Sequence, residues 1–241
     1  MPKKINIKGV IIPSDYKFFY DWFGIECTCP RDVETALDKA NGEDVEVFVN
    51  SPGGIIDAGS EIYTALRSYK GDVKIYIVGE ACSAASIISM ARYCEMSPTS
   101  LMMVHCVSTR GAGNHSDFEH IAGVLRTADE ALCTAYMQKS GMSKEEALAM
   151  MEAETWMTAE KAKEKGLIDG IMFESAEPLR LTASNFALPS AEQMEKVKNL
   201  IKEQTETSGD DNHADDDQSA FLMQTAKARF NLLKLKGGTH E

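Results

Sequence analysis

Short apolar runs alternate with amphipathic stretches along the first half of the chain, which predicts strands that each lead into a helix. Apolar runs of strand length occur at residues 5–12, 45–49 and 73–78. Helical spacing of apolar positions follows at 31–39, at 57–69 and from Ser83 onward. Regular alternation of strands and helices is typical of an α/β fold with a mainly parallel sheet.

The pattern continues to about residue 173 with shorter elements. Two brief strands are predicted at 94–96 and 101–104, followed by a long helix that Asn114 or Ser116 caps and that ends near Ser140. Further helices are predicted at 143–152 and 158–166. The aromatic-rich segment 15–29 has the density that is usual for a core or for a contact between subunits.

The composition changes after about residue 174, which divides the chain into a globular domain, 1–174, and a C-terminal extension, 175–241. An amphipathic helix is predicted at 190–204, and 203–217 has seven acidic residues with no lysine or arginine, as in a disordered linker. The segment 221–236 is both basic and apolar, which favours a helix that docks on a partner. A frayed tail or a helix on a membrane surface are the alternatives.

Charge and cysteine content restrict the function classes. The net charge is −12, and an acidic surface argues against binding to a nucleic-acid backbone. No apolar run approaches the length that spans a membrane, and the apolar run at 10–12 is too short for a signal peptide. Six cysteines are expected as buried thiols in a reducing compartment, so a cytoplasmic protein is predicted. Because Cys27 and Cys29 have no further ligand nearby in the sequence, no metal or cofactor is predicted.

A serine and a histidine at the ends of predicted elements suggest nucleophilic chemistry. Ser83 lies among small residues where a strand gives way to a helix, and His105 ends the strand at 101–104. A serine needs a neighbouring base and backbone N–H donors directed at the developing oxyanion. The turn that contains Gly54 and the helix start at Ala84 offer such donors. Each signal alone is weak, because most serines and histidines in such positions are structural.

Four motifs in order give the sequence a family resemblance. They are NSPGG, GEACSAAS, MMVH and ETWMTAEKAKEKGLIDGI, and together they resemble the ClpP family of serine peptidases over about residues 5–173. The resemblance implies a spiral of repeated β-β-α units with a long handle helix. It also implies Ser83 as nucleophile, His105 as base, and the backbone N–H groups of Gly54 and Ala84 as oxyanion donors.

The resemblance places the third catalytic residue at Glu154, where the family has an aspartate. Glutamate is one methylene longer, so its backbone must lie further from His105. Glu152 and Asp129 are the alternatives, and an incomplete dyad is a further one.

The opening residues 7–37, the stretch at 153–162 and the C-terminal tail resemble one branch of the family, the head maturation proteases of tailed phages and prophages. This implies an ATP-independent endopeptidase that cleaves capsid or scaffold precursors and assembles with itself into a heptamer-based ring. The alternatives are a cellular ClpP paralogue with other substrates, a catalytically inactive assembly or scaffold subunit, and a crotonase-like enzyme on the same fold.

Overall fold

The computed structural model describes residues 2–174 and 195–199, and the chain divides into two units, Met1–Glu177 and Pro178–Glu241. Residues 195–199 are helical, and their side chains are exposed. The rest of the predicted helix at 190–204, the acidic linker at 203–217 and the segment 221–236 lie outside the described residues. The predicted boundary near residue 174 stays a prediction.

The first unit contains eight strands and seven α-helices within the described residues. The strands are β1 (Lys3–Ile11), β2 (Cys27–Thr28), β3 (Val45–Gly54), β4 (Val73–Cys82), β5 (Tyr93–Met96), β6 (Leu101–Val104), β7 (Thr155–Met157) and β8 (Gly170–Ile171). The helices are α1 (Lys17–Trp22), α2 (Pro30–Ala40), α3 (Ile56–Ser68), α4 (Ala84–Ser89), α5 (His115–Ser140), α6 (Lys144–Glu152) and α7 (Ala159–Glu164), and a 3-10 turn covers Ser14–Tyr16.

One sheet runs through this unit in the order β2-β1-β3-β4-β5-β8, and β6 pairs with both β4 and β7. Every pair is parallel except β6 with β7. Strand β4 changes partners along its length: its first part pairs with β5, and its last three residues pair with β6. The predicted α/β fold with a mainly parallel sheet is therefore confirmed.

Apolar residues at alternate strand positions build the core. Ile5 and Ile7 of β1, Val47 of β3, and Ile75 and Ile77 of β4 are all buried. Helix α3 covers this face with Ile62 and Leu66, and helix α2 with Val33 and Leu37. Because successive side chains of a strand point to opposite faces, this alternation fixes the register of each strand.

Two segments expected to be turns belong to strands instead. The residues after Val49 continue β3, where Gly53 and Gly54 pair with Val10 and Ile11 of β1. The residues after Val78 continue β4 through Cys82. The sequence prediction was wrong here because small residues and glycines in these strands serve close backbone approach, which composition cannot distinguish from a turn.

The aromatic segment does not join the core. Tyr16, Phe18, Phe19, Trp22 and Phe23 are all at least half exposed, and Phe18 reaches 76%. Neighbouring rings pack on one another, with Phe19 and Phe23 centroids 4.7 Å apart. These exposed side chains are therefore not part of the core, which leaves a contact between subunits as the remaining prediction for this segment.

Helix α5 is the long helix that the sequence predicts. Asn114 caps it, since its side-chain oxygen accepts hydrogen bonds from the backbone N–H groups of Ser116 and Asp117. Its first turns are largely exposed, with Phe118 and Val124 open to solvent, whereas Cys133 and Tyr136 are buried. Only the C-terminal half of α5 therefore packs against the core of this chain.

Lys139, near the C-terminal end of α5, bonds to residues that precede β5 and β8. Lys139 Nζ donates hydrogen bonds to the Asp169 carboxylate and to the Arg92 carbonyl, the latter at 2.8 Å. Asp169 Oδ2 also accepts from the backbone N–H of Cys94 at 2.7 Å. The Lys139 side chain is 10% exposed, so most of the ammonium's surroundings are protein.

Replacing Lys139→Met should lower the free energy of unfolding by about 2 kcal/mol, because the Asp169 carboxylate and the Arg92 carbonyl both lose the charged donor that this mostly buried side chain supplies. Urea denaturation followed by circular dichroism measures the change. Lys144→Met is the matched control, since it removes an exposed ion pair with Glu130 and should leave the unfolding midpoint unchanged. Equal shifts in the two variants would contradict this assignment.

Candidate active site

Ser83 is the single residue between β4 and α4, and its backbone conformation is unusual. Its φ of 55° and ψ of −123° lie outside the regions that residues with a Cβ favour. Its N–H donates to the Met103 carbonyl at 2.9 Å, which ties the junction to β6. A conformation of this kind costs on the order of 1–3 kcal/mol and persists only where its surroundings impose it. It forms a sharp turn between the strand and the helix.

His105 lies within hydrogen-bonding distance of Ser83. The pairing of Cys82 with Met103 brings the ends of β4 and β6 side by side, so the residues just beyond them meet. His105 Nε2 is 2.8 Å from Ser83 Oγ. With the imidazole proton on Nδ1, Nε2 accepts the serine hydroxyl proton, which is the arrangement a general base requires.

Glu154 is not hydrogen-bonded to His105 within the described residues. The β6–β7 register ends with Val104 paired to Thr155, so His105 and Glu154 are the next residues beyond this pair. Glu154 has a left-handed φ of 45°, and its side chain is exposed. Within the described residues its carboxylate accepts one long hydrogen bond, from Trp156 Nε1 at 3.4 Å, and none from His105. Its role as the third catalytic residue stays a prediction.

The two alternative carboxylates face the residues after His105. Asp129 Oδ1 accepts the N–H of Val107 at 2.7 Å, and Asp129 also interacts with the thiol of Cys106. Glu152 acts on that thiol through its charge. Neither carboxylate is hydrogen-bonded to His105 within the described residues. Asp129 therefore holds the segment that follows His105 in place.

The predicted oxyanion donors lie on both sides of the nucleophile. Ala84 is the first residue of α4, so its N–H has no acceptor within the helix. Gly54 ends β3 and lines the same cavity as Ser83, Ala84 and His105. A Cβ at Gly54 would lie 2.0 Å from the Ile11 carbonyl oxygen, which only a glycine avoids.

Gly53, which the sequence placed together with Gly54 in a turn that offers backbone N–H groups, lies beside Ser83. Its φ is 95°, and a Cβ there would lie 2.8 Å from the Cβ of Ser83 and 3.1 Å from the N of Ala84. The glycine pair therefore lets β3 approach the nucleophile. From the sequence, Pro52 and Gly53 predict only a turn. The left-handed φ of Gly53 is seen only in the structure.

A cavity of about 330 Å³ opens beside the catalytic pair. Its lining is mixed polar and apolar, and the apolar side chains come from separate elements: Ile56 of α3, Ile87 of α4, Leu132 of α5 and Met151 of α6. A pocket of this kind suits an uncharged side chain of a bound peptide.

The cysteines next to the catalytic residues are poor nucleophiles. Burial and then the nearby Glu80 carboxylate raise the pKa of Cys82 to about 12. Burial and then Asp129 raise the pKa of Cys106 to about 11. Both thiols are therefore protonated at neutral pH.

Two hydroxyl groups behind the nucleophile were not predicted as part of the site. Ser86 lies in α4, as expected, and its Oγ is 2.6 Å from the Ser83 carbonyl oxygen and 2.7 Å from Tyr136 Oη. Ser86 is 0% exposed and Tyr136 1%. The contact crosses 50 positions of sequence, so no local pattern could have found it.

Across residues 2–174 and 195–199, no group of three or more His, Cys, Asp or Glu side chains could hold a metal ion. No helix in the same ranges is both long and apolar enough to span a bilayer.

The sequence of this chain matches a known protein family and members of it. The Clp protease family model matches residues 35–175. The ATP-dependent Clp protease proteolytic subunit 1 of Chlamydia abortus is 31% identical over 140 residues, covering 55% of this chain and 71% of that protein. The ATP-dependent Clp protease proteolytic subunit of Bacteroides fragilis is 32% identical over 142 residues, covering 57% and 69%.

A solved structure shares the fold. A mutant of ClpP1 from Listeria monocytogenes superposes with a TM-score of 0.59 at 20% identity, covering 70% of this chain and 91% of that one. The residues that the family model matches include Ser83, His105 and the long helix α5. The chain belongs to the Clp protease family.

Proposed function

We propose that this chain is a serine endopeptidase with Ser83 as nucleophile and His105 as general base. The observation that supports it most is the 2.8 Å contact between Ser83 Oγ and His105 Nε2, with the serine held at a strained strand-to-helix turn. Membership of a family of proteolytic enzymes agrees with this chemistry.

The mechanism follows from the groups in the cavity. His105 Nε2 takes the hydroxyl proton as Ser83 Oγ attacks the peptide carbonyl carbon, and the carbonyl oxygen becomes an oxyanion. The N–H groups of Ala84 and Gly54 stabilise that charge. The His105 imidazolium then protonates the leaving amine, and the carbon–nitrogen bond breaks to give an acyl-serine. Water, deprotonated by the same imidazole, releases the acid product and restores the serine.

Glu154 is proposed to orient the imidazole and to stabilise its charged form. Glu154 and His105 are the next residues beyond the last β6–β7 pair, which supports this role. A change of side-chain rotamer away from Trp156 would direct the carboxylate toward His105, and its exposure leaves it free to make that change.

The substrate is proposed to be a capsid or scaffold precursor of a tailed phage, cleaved without ATP hydrolysis inside a heptamer-based ring of this chain. The resemblance of residues 7–37 and of the C-terminal tail to head maturation proteases supports this choice. A cellular role on other proteins is the second candidate, favoured by the relatives that are named ATP-dependent Clp proteolytic subunits. A catalytically inactive assembly subunit requires the Ser83–His105 pair to be unreactive.

A fluorophosphonate probe should label Ser83, because His105 accepts the proton of the attacking hydroxyl. Peptide mapping by mass spectrometry locates the adduct. His105→Ala should lower kcat/KM for a fluorogenic peptide on the order of 10⁴-fold or more. Ser97→Ala is the matched control, because this half-buried serine bonds to Thr99 and not to His105, and it should label normally.

Iodoacetamide at pH 7.5 distinguishes a serine nucleophile from a cysteine nucleophile. The raised pKa of Cys82 and Cys106 keeps both protonated, so alkylation should leave activity intact.

In the fluorophosphonate experiment, absence of a Ser83 adduct from the assembled protein would favour the inactive assembly subunit.

Glu154→Gln should lower kcat about 100-fold, because an amide cannot stabilise the imidazolium that forms during attack. Asp129→Asn is the comparison variant and should not lower kcat in this way. Full activity in Glu154→Gln would remove this residue from the mechanism.

Deleting the residues after Ser190 should abolish co-assembly with capsid precursor, if the basic and apolar segment 221–236 tethers protease to substrate. Co-expression followed by gradient sedimentation measures the association, and fluorophosphonate labelling of Ser83 checks that the site is intact. Unchanged co-sedimentation of the truncated protein would refute the tether and favour the cellular role.

A further inference from the structure

The carbonyl group of Ser83 is the most heavily hydrogen-bonded acceptor around the nucleophile. It accepts the backbone N–H of Ser86 at 2.9 Å and that of Ile87 at 3.3 Å, as expected at the start of a helix. It also accepts the Ser86 hydroxyl at 2.6 Å. Three donors therefore converge on one oxygen.

The direction of each proton in this network can be assigned. A carbonyl oxygen only accepts, so the proton of the Ser86 hydroxyl lies on the line to Ser83 O. Tyr136 must then donate its own proton to Ser86 Oγ, across 2.7 Å. Burial raises the pKa of the Tyr136 phenol, so it remains protonated and can donate throughout the physiological range. The order of donation is Tyr136 to Ser86 to Ser83.

The acceptor at the end of this order shares a peptide plane with the oxyanion donor. In a planar trans peptide the carbonyl of Ser83 and the N–H of Ala84 point in opposite directions. Holding that carbonyl toward α4 therefore directs the Ala84 N–H out of the helix and into the cavity. Ser83 is also the strained residue, so its ψ torsion is where relaxation would rotate this plane.

We propose that Tyr136, acting through Ser86, is a positioning residue that sets the direction of the oxyanion donor at Ala84. The inference rests on the proposed peptidase function. Tyr136 lies on α5, one turn after Leu132, and both residues line the catalytic cavity. The buried half of the long helix thus orients the catalytic peptide as well as forming a wall of the pocket.

The test uses Tyr136→Phe and Ser86→Ala, which remove the hydroxyl groups with little change of volume. Each should lower kcat/KM for a fluorogenic peptide about ten-fold with KM unchanged, a fraction of the loss seen when a whole oxyanion donor is removed. Each should weaken inhibition by a peptide aldehyde by the same factor, since its hemiacetal oxygen occupies the oxyanion position. The double variant should be no worse than the poorer single variant, because the two hydroxyls act in series.

Tyr93→Phe is the matched control, because it removes an exposed phenol that bonds only to Glu95 among the described residues. It should change neither kcat/KM nor aldehyde inhibition. Activity of Tyr136→Phe within two-fold of the unmodified protein would overturn the proposal. So would a loss of activity that comes with a lower melting temperature and unchanged aldehyde affinity, which marks a purely structural residue.

Amide hydrogen exchange separates this proposal from the proposed function. Tyr136→Phe should accelerate exchange of the N–H groups of Ser86 and Ile87, whose acceptor is the Ser83 carbonyl, whether or not the protein cleaves peptides. Unchanged exchange would refute the positioning role. Lack of a fluorophosphonate adduct on Ser83 in the unmodified protein would refute the peptidase function and leave the exchange result to decide the positioning.

Discussion

The pairing of β4 with two different strands is the constraint on which the rest of the structure depends. Residues Lys74–Ile77 of this strand pair with β5, and Glu80–Cys82 pair with β6. The sheet therefore branches at Gly79, where a side chain would lie 2.2 Å from Asn50 Oδ1. The branch puts the ends of β4 and β6 side by side, so that a serine after one and a histidine after the other share a hydrogen bond. Nucleophile and base are thus brought together by backbone pairing, with no flexible loop between strand and serine.

The strain at Ser83 is balanced by contacts from several elements. Its N–H is held by β6, its carbonyl by α4 and, through Ser86, by the Tyr136 phenol of α5. Both hydroxyls are buried, where a hydrogen bond is strong and an unpaired group is costly. A rigid serine flanked by fixed N–H groups is what electrostatic stabilisation of an oxyanion requires, because the dipoles need no reorganisation during the reaction. The third carboxylate is held less firmly, since Glu154 is exposed and bonded to Trp156.

Sequence patterns predicted the alternating strands and helices well, because hydrophobic periodicity reports directly which face of an element is buried. The long helix and its Asn114 cap follow from the same local information. The branch in β4 was missed, since Gly79 and the small residues after it also suit a turn. The Ser86–Tyr136 contact was missed because it joins residues far apart in the chain. The exposed aromatics of α1 show the limit of composition, which reports an apolar side chain but not what covers it.

A crystal structure of the protein after reaction with a peptidyl phosphonate would show whether Ser83 is the nucleophile and which N–H groups bind the oxyanion. We expect a covalent bond from Ser83 Oγ to phosphorus. We also expect the phosphoryl oxygen within about 2.7–3.1 Å of the backbone nitrogens of both Ala84 and Gly54. The peptide side chain next to phosphorus should enter the cavity between Ile87 and Leu132. An adduct on another residue, or a phosphoryl oxygen that faces away from both N–H groups, would contradict the account.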